Sequence, residues 1–174
     1  IVQDLFYSLF LGLCISDLAP DETLSVKLPP NTLFCTGLML KLFLQLGIFP
    51  AIQAITLEIL KTQDWYTPFE TDDPLNESWA TEGAVLNIIA LSQLMIAAVV
   101  VTIGKPFRKP WYTSRNLLIV LSLHTAYILY LMFGLTNAFM RGVSNKHVPR
   151  RFAGILMAII ALNILVSGLA TKLA

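Results

Sequence analysis

Residues 84–103 form a continuous apolar run whose polar members are Asn87, Ser92, Gln93 and Thr102. At about 1.5 Å per residue, such a run is long enough as a helix to cross a hydrocarbon core. Similar runs cover 117–140 and 152–170, and a longer one, 32–60, is interrupted by Lys41, Gln45, Pro50 and Gln53. As a helix this longer run is expected to kink near Pro50, which lacks a backbone donor. Residues 1–16 are apolar apart from Gln3, Asp4, Tyr7 and Ser8. That stretch falls short of the roughly 20 residues a span needs, so it reads as the end of a further span. Backbone groups in lipid must be satisfied within the segment, which makes runs of this length helices; barrel strands would alternate over about ten residues. The expected fold class is all-α: a polytopic transmembrane helical bundle with four full spans and the end of a fifth.

Composition agrees with lipid as the solvent: 56% of residues are hydrophobic and 13% charged, where soluble domains carry about 25% charge. A net charge of +1 gives no reason to expect a nucleic-acid partner. Cys14 and Cys35 lie in or beside apolar runs and fit neither a disulfide framework nor a zinc site. The chain opens on Ile1 with no charged segment before its first apolar run, unlike a signal peptide. It is expected to be a piece of a larger protein.

The connectors alternate across the membrane. Those on one side carry Lys27, Lys105, Arg108, Lys109, Arg115 and Lys172, against Lys61, Arg141, Lys146, Arg150 and Arg151 on the other, a near tie for the positive-inside rule. The glycosylation pattern at Asn76 in "NES" favours a lumenal place for residues 61–83, which leaves residues 104–116 cytosolic. That short hinge, "GKPFRKPWYTSRN", carries four basic residues and no acid, and its 105–115 portion is placed to meet anionic lipid heads.

Asp4 is the leading candidate for chemistry, because ionisable groups within membrane helices are costly and face protein or water. Gln3 adjoins it and Tyr7 follows one turn on; a carboxylate beside an aromatic ring suits a cation. The alternative is that Asp4 pairs with a neighbouring helix or sees water near a helix end. Lys41 is expected to snorkel or to line a groove, Gln93 and Asn87 to bond between helices, and His124 to be a satisfied buried histidine. The acids Asp64, Glu70, Asp72, Asp73, Glu77 and Glu82 read as a solvated loop, with attraction of a polycation as the alternative. No phosphate loop, nucleophile elbow or paired catalytic carboxylates occur, so no catalytic residue is expected within the chain.

The hinge "GKPFRKPWYT", with Gly104, Lys105, Pro106, Phe107, Arg108, Lys109 and Pro110, resembles the signature between two late membrane helices of type-five P-type ATPases, subgroup B, the polyamine-transporting pumps. Subgroup A, which removes misplaced helices from the endoplasmic reticulum, has a related "GRPFRE"-like stretch without the following "KPxYT". "QDWYTPF" at 63–69, "LSVKLPPNTLF" at 24–34, "EGAVLNIIALSQLMIAAVVVTIG" at 82–104 and "VPRRFAGILMAIIALNILVSGL" at 148–169 resemble further parts of that family, from the end of helix six to helix ten. "QDLF" at 3–6 matches the family's "xDL" motif, which places Asp4 at a polyamine-binding position. Two departures stand out: "EG" at Glu82 and Gly83 replaces "EN", and Lys41 replaces a neutral polar residue.

The resemblance implies that residues 1–174 are the C-terminal transmembrane support region of an ATP-driven pump. Its Mg2+, ATP and phosphorylated aspartate would belong to upstream domains. It also implies spermine or spermidine as substrate, and a lysosome, late endosome or vacuole as location. The rival readings are a subgroup A helix dislocase of the endoplasmic reticulum, or a non-catalytic scaffold or channel wall.

Overall fold

The computed structural model describes residues 2–20, 36–66, 81–101, 109–133 and 149–173; the side chains of residues 2–6, 101 and 173 fall outside that description. The helices are α1 (Val2–Ser16), α2 (Thr36–Lys61), α3 (Thr81–Val101), α4 (Arg115–Phe133) and α5 (Arg150–Leu173), with a 3₁₀ turn at Trp111–Thr113 before α4. No strand occurs among the described residues. The chain is an all-α bundle, and among the described residues α2 to α5 are four helices long and apolar enough to cross a membrane.

Local chemistry sets the helix starts slightly earlier than apolar content alone suggests. The α3 helix begins at Thr81, so Glu82 and Gly83 form its first turn and not the end of an acidic loop. An acid there faces the partial positive charge of the helix N-terminus, and Glu82 also accepts a hydrogen bond from the Tyr66 hydroxyl. The α4 helix starts at Arg115 because Ser114 caps it: the Leu117 N–H donates to Ser114 Oγ at 3.3 Å.

The bundle is organised around α3, which packs against α1, α2, α4 and α5. Half of its apolar window is buried, against 11% for α2. Two clusters form the interior. The larger joins Leu60 of α2, Ile88 of α3, Leu131 of α4 and Phe152 of α5. The smaller joins Leu11 of α1, Ala98 of α3, and Leu117 and Leu121 of α4. They sit at opposite ends, because successive helices run antiparallel.

Contacts at each end confirm how the connectors are grouped. At one end the Lys109 N–H donates to the Ala19 carbonyl at 3.0 Å, and Asn116 Nδ2 donates to Asp17 Oδ2 at 3.3 Å. The hinge and the Asp17 connector therefore share a side. At the other end Trp65 meets Phe152 edge-on, with ring centroids 5.3 Å apart, and Tyr66 reaches Glu82. The hydrogen bond to Glu82, followed by burial and the carboxylate's charge, pushes the Tyr66 phenol above its ordinary value.

The α2 helix continues through Pro50, which leaves the Leu46 carbonyl without its helical donor. Gln93 of α3 spans this weak point. Its Nε2 donates to the Phe49 carbonyl at 3.0 Å, and its Oε1 accepts from Gln53 Nε2 at 2.7 Å. The interhelical bonding expected of Gln93 is therefore present. Gln93→Leu should lower stability by about 1 kcal/mol, since it removes both bonds and leaves a Gln53 donor unpaired in an apolar seam. The check is the melting temperature of the full-length protein in detergent; an unchanged value would mean that the clamp contributes nothing.

Candidate functional site in the membrane interior

The proposed cation ligand lies on α1. Gln3 and Asp4 occupy the first turns of that helix, with side chains outside the described residues. Tyr7, one turn on, is half-buried at the seam between α1 and α4. Its ring meets His124 nearly at right angles, with centroids 4.3 Å apart and planes at 83°, and lies tilted against Tyr127 at 5.6 Å. The structure thus brings Tyr7 against two rings of α4, a contact that spacing within α1 cannot show.

His124 is fully buried, and its Nε2 lies 3.1 Å from the Leu91 carbonyl of α3. A carbonyl only accepts, so Nε2 carries a proton and donates it to Leu91. The other nitrogen, Nδ1, is buried without a hydrogen-bond partner. The expectation of a satisfied histidine is therefore met at one nitrogen only among the described residues.

A second polar seam joins α2 to α5 and went unread in the sequence. Gln45 Nε2 donates to the Ser167 carbonyl at 3.5 Å, and Ser167 Oγ donates to Asn163 Oδ1 at 3.3 Å. Asn163, Ser167 and Thr171 recur at four-residue spacing, the signal that marks one helix face. Lys41, four residues before Gln45, belongs to a helix that packs on α3 and α5, whereas α1 packs on α3 and α4.

In the hinge, Gly104, Lys105, Pro106, Phe107 and Arg108 lie outside the described residues, as does Asn76. Its second half has a clear structural task. The Pro110 carbonyl accepts from the Thr113 N–H at 2.9 Å and from Thr113 Oγ1 at 2.7 Å, closing the 3₁₀ turn that leads into Ser114 and α4. Tyr112 of that turn is exposed, beside Trp111. Among the described residues no group of three or more His, Cys, Asp or Glu could hold a metal ion.

No protein-family model matches the chain. It is 25% identical over 142 residues to the probable cation-transporting ATPase catp-6 of Caenorhabditis elegans, a match covering 80% of this chain and 11% of that protein. It is 28% identical over 121 residues to the polyamine-transporting ATPase 13A2 of Mus musculus, covering 69% of this chain and 10% of the relative. The Homo sapiens protein of the same name is 26% identical over 121 residues, with the same coverage. The likeness is to transport ATPases. The chain spans about a tenth of the length of the curated relatives it matches. Together with four membrane-length helices, these likenesses support an integral membrane protein and the membrane region of a P-type cation-transporting ATPase.

Proposed function

We propose that residues 1–174 are the C-terminal membrane region of a P-type ATPase of subgroup B. In this reading the pump moves a polyamine from the lumen of a lysosome, late endosome or vacuole into the cytosol. The observation that carries it is the likeness of 69% of the chain to proteins named as polyamine-transporting ATPases. The helix chemistry is compatible: Asp4 supplies a carboxylate within the membrane, and Tyr7 an aromatic ring one turn away. The α2 to α5 helices act as the buttress against which α1 is held. Mg2+ and ATP are bound by the parent outside this chain. The end carrying Asp17 and the hinge faces the cytosol, where the basic residues of 105–115 meet anionic lipid heads, and Asn76 lies on the lumenal side.

The test uses the full-length parent in detergent with Mg-ATP, titrated with spermine, spermidine and Ca2+, while ATP turnover and loss of the phosphoenzyme are followed. Stimulation by polyamines and not by Ca2+ is expected. Phosphoenzyme without a polyamine response would overturn the substrate and favour a helix dislocase of the endoplasmic reticulum. Absence of any phosphoenzyme would leave a non-catalytic scaffold or channel wall.

A further inference from the structure

The transport reading leaves His124 without a task, although it is a fully buried imidazole that connects three helices. It belongs to α4, its Nε2 holds the Leu91 carbonyl of α3 at 3.1 Å, and its ring stands nearly perpendicular to that of Tyr7 of α1, with centroids 4.3 Å apart. Tyr127, one turn further along α4, stands against the same tyrosine at 5.6 Å. Tyr7 is thus seated in a corner made by two α4 rings, one of which is fixed in plane by a hydrogen bond to α3.

Beyond its last turn α1 is tied by the Asn116–Asp17 and Lys109–Ala19 hydrogen bonds, and apolar contacts run along its length. Leu11, Cys14 and Ile15 pack on Ala98, Leu117 and Leu121, while Leu9, Phe10 and Leu13 on the other side are at least half exposed. Apolar side chains pack without a preferred direction, and a lipid-facing leucine can exchange with a protein-facing one at little cost. An edge-to-face ring pair does depend on orientation. The Tyr7–His124 contact is therefore a directional element within the membrane-spanning part of this seam, as the Asn116–Asp17 bond is beyond its end, and whatever fixes the rotation of α1 also fixes that of Asp4, three residues earlier.

We propose that His124 is a positioning residue, which sets the rotation of the Asp4-bearing helix α1 through its edge contact with Tyr7. This inference rests on the transport reading above. The test uses the full-length pump in detergent with Mg-ATP and spermine. His124→Gln keeps a donor for the Leu91 carbonyl but removes the ring; His124→Phe keeps the ring edge but removes the donor. His124→Gln should raise the half-saturating spermine concentration about tenfold while maximal turnover and phosphoenzyme level stay near wild type. His124→Phe should stay within about twofold of wild type in affinity.

In the His124→Gln, Tyr7→Leu double variant the two losses should overlap and not add, because both break one contact. Cys14, half-buried on the same stripe of α1, gives a readout independent of turnover. Its alkylation, followed by mass spectrometry of the Cys14 peptide, should be faster in His124→Gln. If His124→Gln does not fold, His124→Met removes the ring at similar volume and reads the same quantities. The proposal is overturned by unchanged half-saturation, by losses that add to those of Tyr7→Leu, or by unchanged Cys14 labelling. A lower yield or melting temperature with unchanged spermine affinity would also overturn it and leave His124 as packing. A wild-type pump that ignores spermine overturns the transport reading and this inference with it, and is told apart because the variants are then irrelevant to the result.

Discussion

On the transport reading proposed above, Asp4→Asn in the full-length parent is expected to raise the half-saturating spermine concentration by about ten- to a hundredfold. A charge-assisted hydrogen bond is worth about 1.5–3 kcal/mol, and each 1.4 kcal/mol is a factor of ten in affinity. Asparagine keeps the shape and one acceptor oxygen of aspartate but loses the negative charge that, on that reading, would hold an ammonium group in a medium of low dielectric. Turnover at saturating spermine should change much less, provided that Asp4 contributes equally to the bound ground state and the transition state. A general loss of folding is a poor explanation for such a result, because a neutral amide is easier than a carboxylate to keep in a membrane helix. The measurement is spermine-stimulated ATP hydrolysis over a wide concentration range. Unchanged affinity would remove Asp4 from the substrate path and leave it as a partner for a neighbouring helix.

The largest expected effect on stability is at Phe152. Its side chain is fully buried where α5 begins, it contributes to the cluster shared by α2, α3, α4 and α5, and it meets Trp65 edge-on at 5.3 Å. Removing a buried phenylalanine costs about 3–5 kcal/mol in soluble cores, through lost contacts and the cavity left behind. The dispersion part of that loss persists in a membrane protein, where packing holds helices together. Phe152→Ala should therefore destabilise the protein by about 3 kcal/mol. In a double-mutant cycle with Trp65→Ala, about 1 kcal/mol of the loss should belong to the ring pair. Unfolding of the full-length protein in detergent would read both quantities. A loss below about 1 kcal/mol would mean that the α2 and α5 helices are held together elsewhere.

The span count was legible in residues 84–103 and their counterparts because a long apolar run in lipid has few alternatives to a helix. The start of α3 was less legible. Glu82 reads as part of an acidic loop when hydropathy is followed alone, whereas a helix N-terminus favours an acid in its first turn. Asp4 stood out as a candidate because it is a charge in an apolar segment. The environment of Tyr7 did not, since His124 and Tyr127 come from a helix distant in the chain, and pairing across helices leaves no mark in local spacing. The α2–α5 seam could have been suspected from the recurrence of Asn163, Ser167 and Thr171, but its partner Gln45 could not.

By itself the sequence determined that this chain is helical, that four of its described helices have membrane length, and that Asp4 lies among apolar residues. Tertiary structure decided which side of each helix turns inward. On α2, Phe43 and Leu46 are 63% exposed while Ile52 and Leu60 are buried, although all four are equally at home in lipid. A soluble helix declares its inner face because water rejects one side of it. In a bilayer the surroundings are as apolar as the protein core, so solvent makes no such choice. It falls to shape, to ring contacts such as Tyr7 with His124, and to the hydrogen bonds that Gln93 and Gln45 make across the helices.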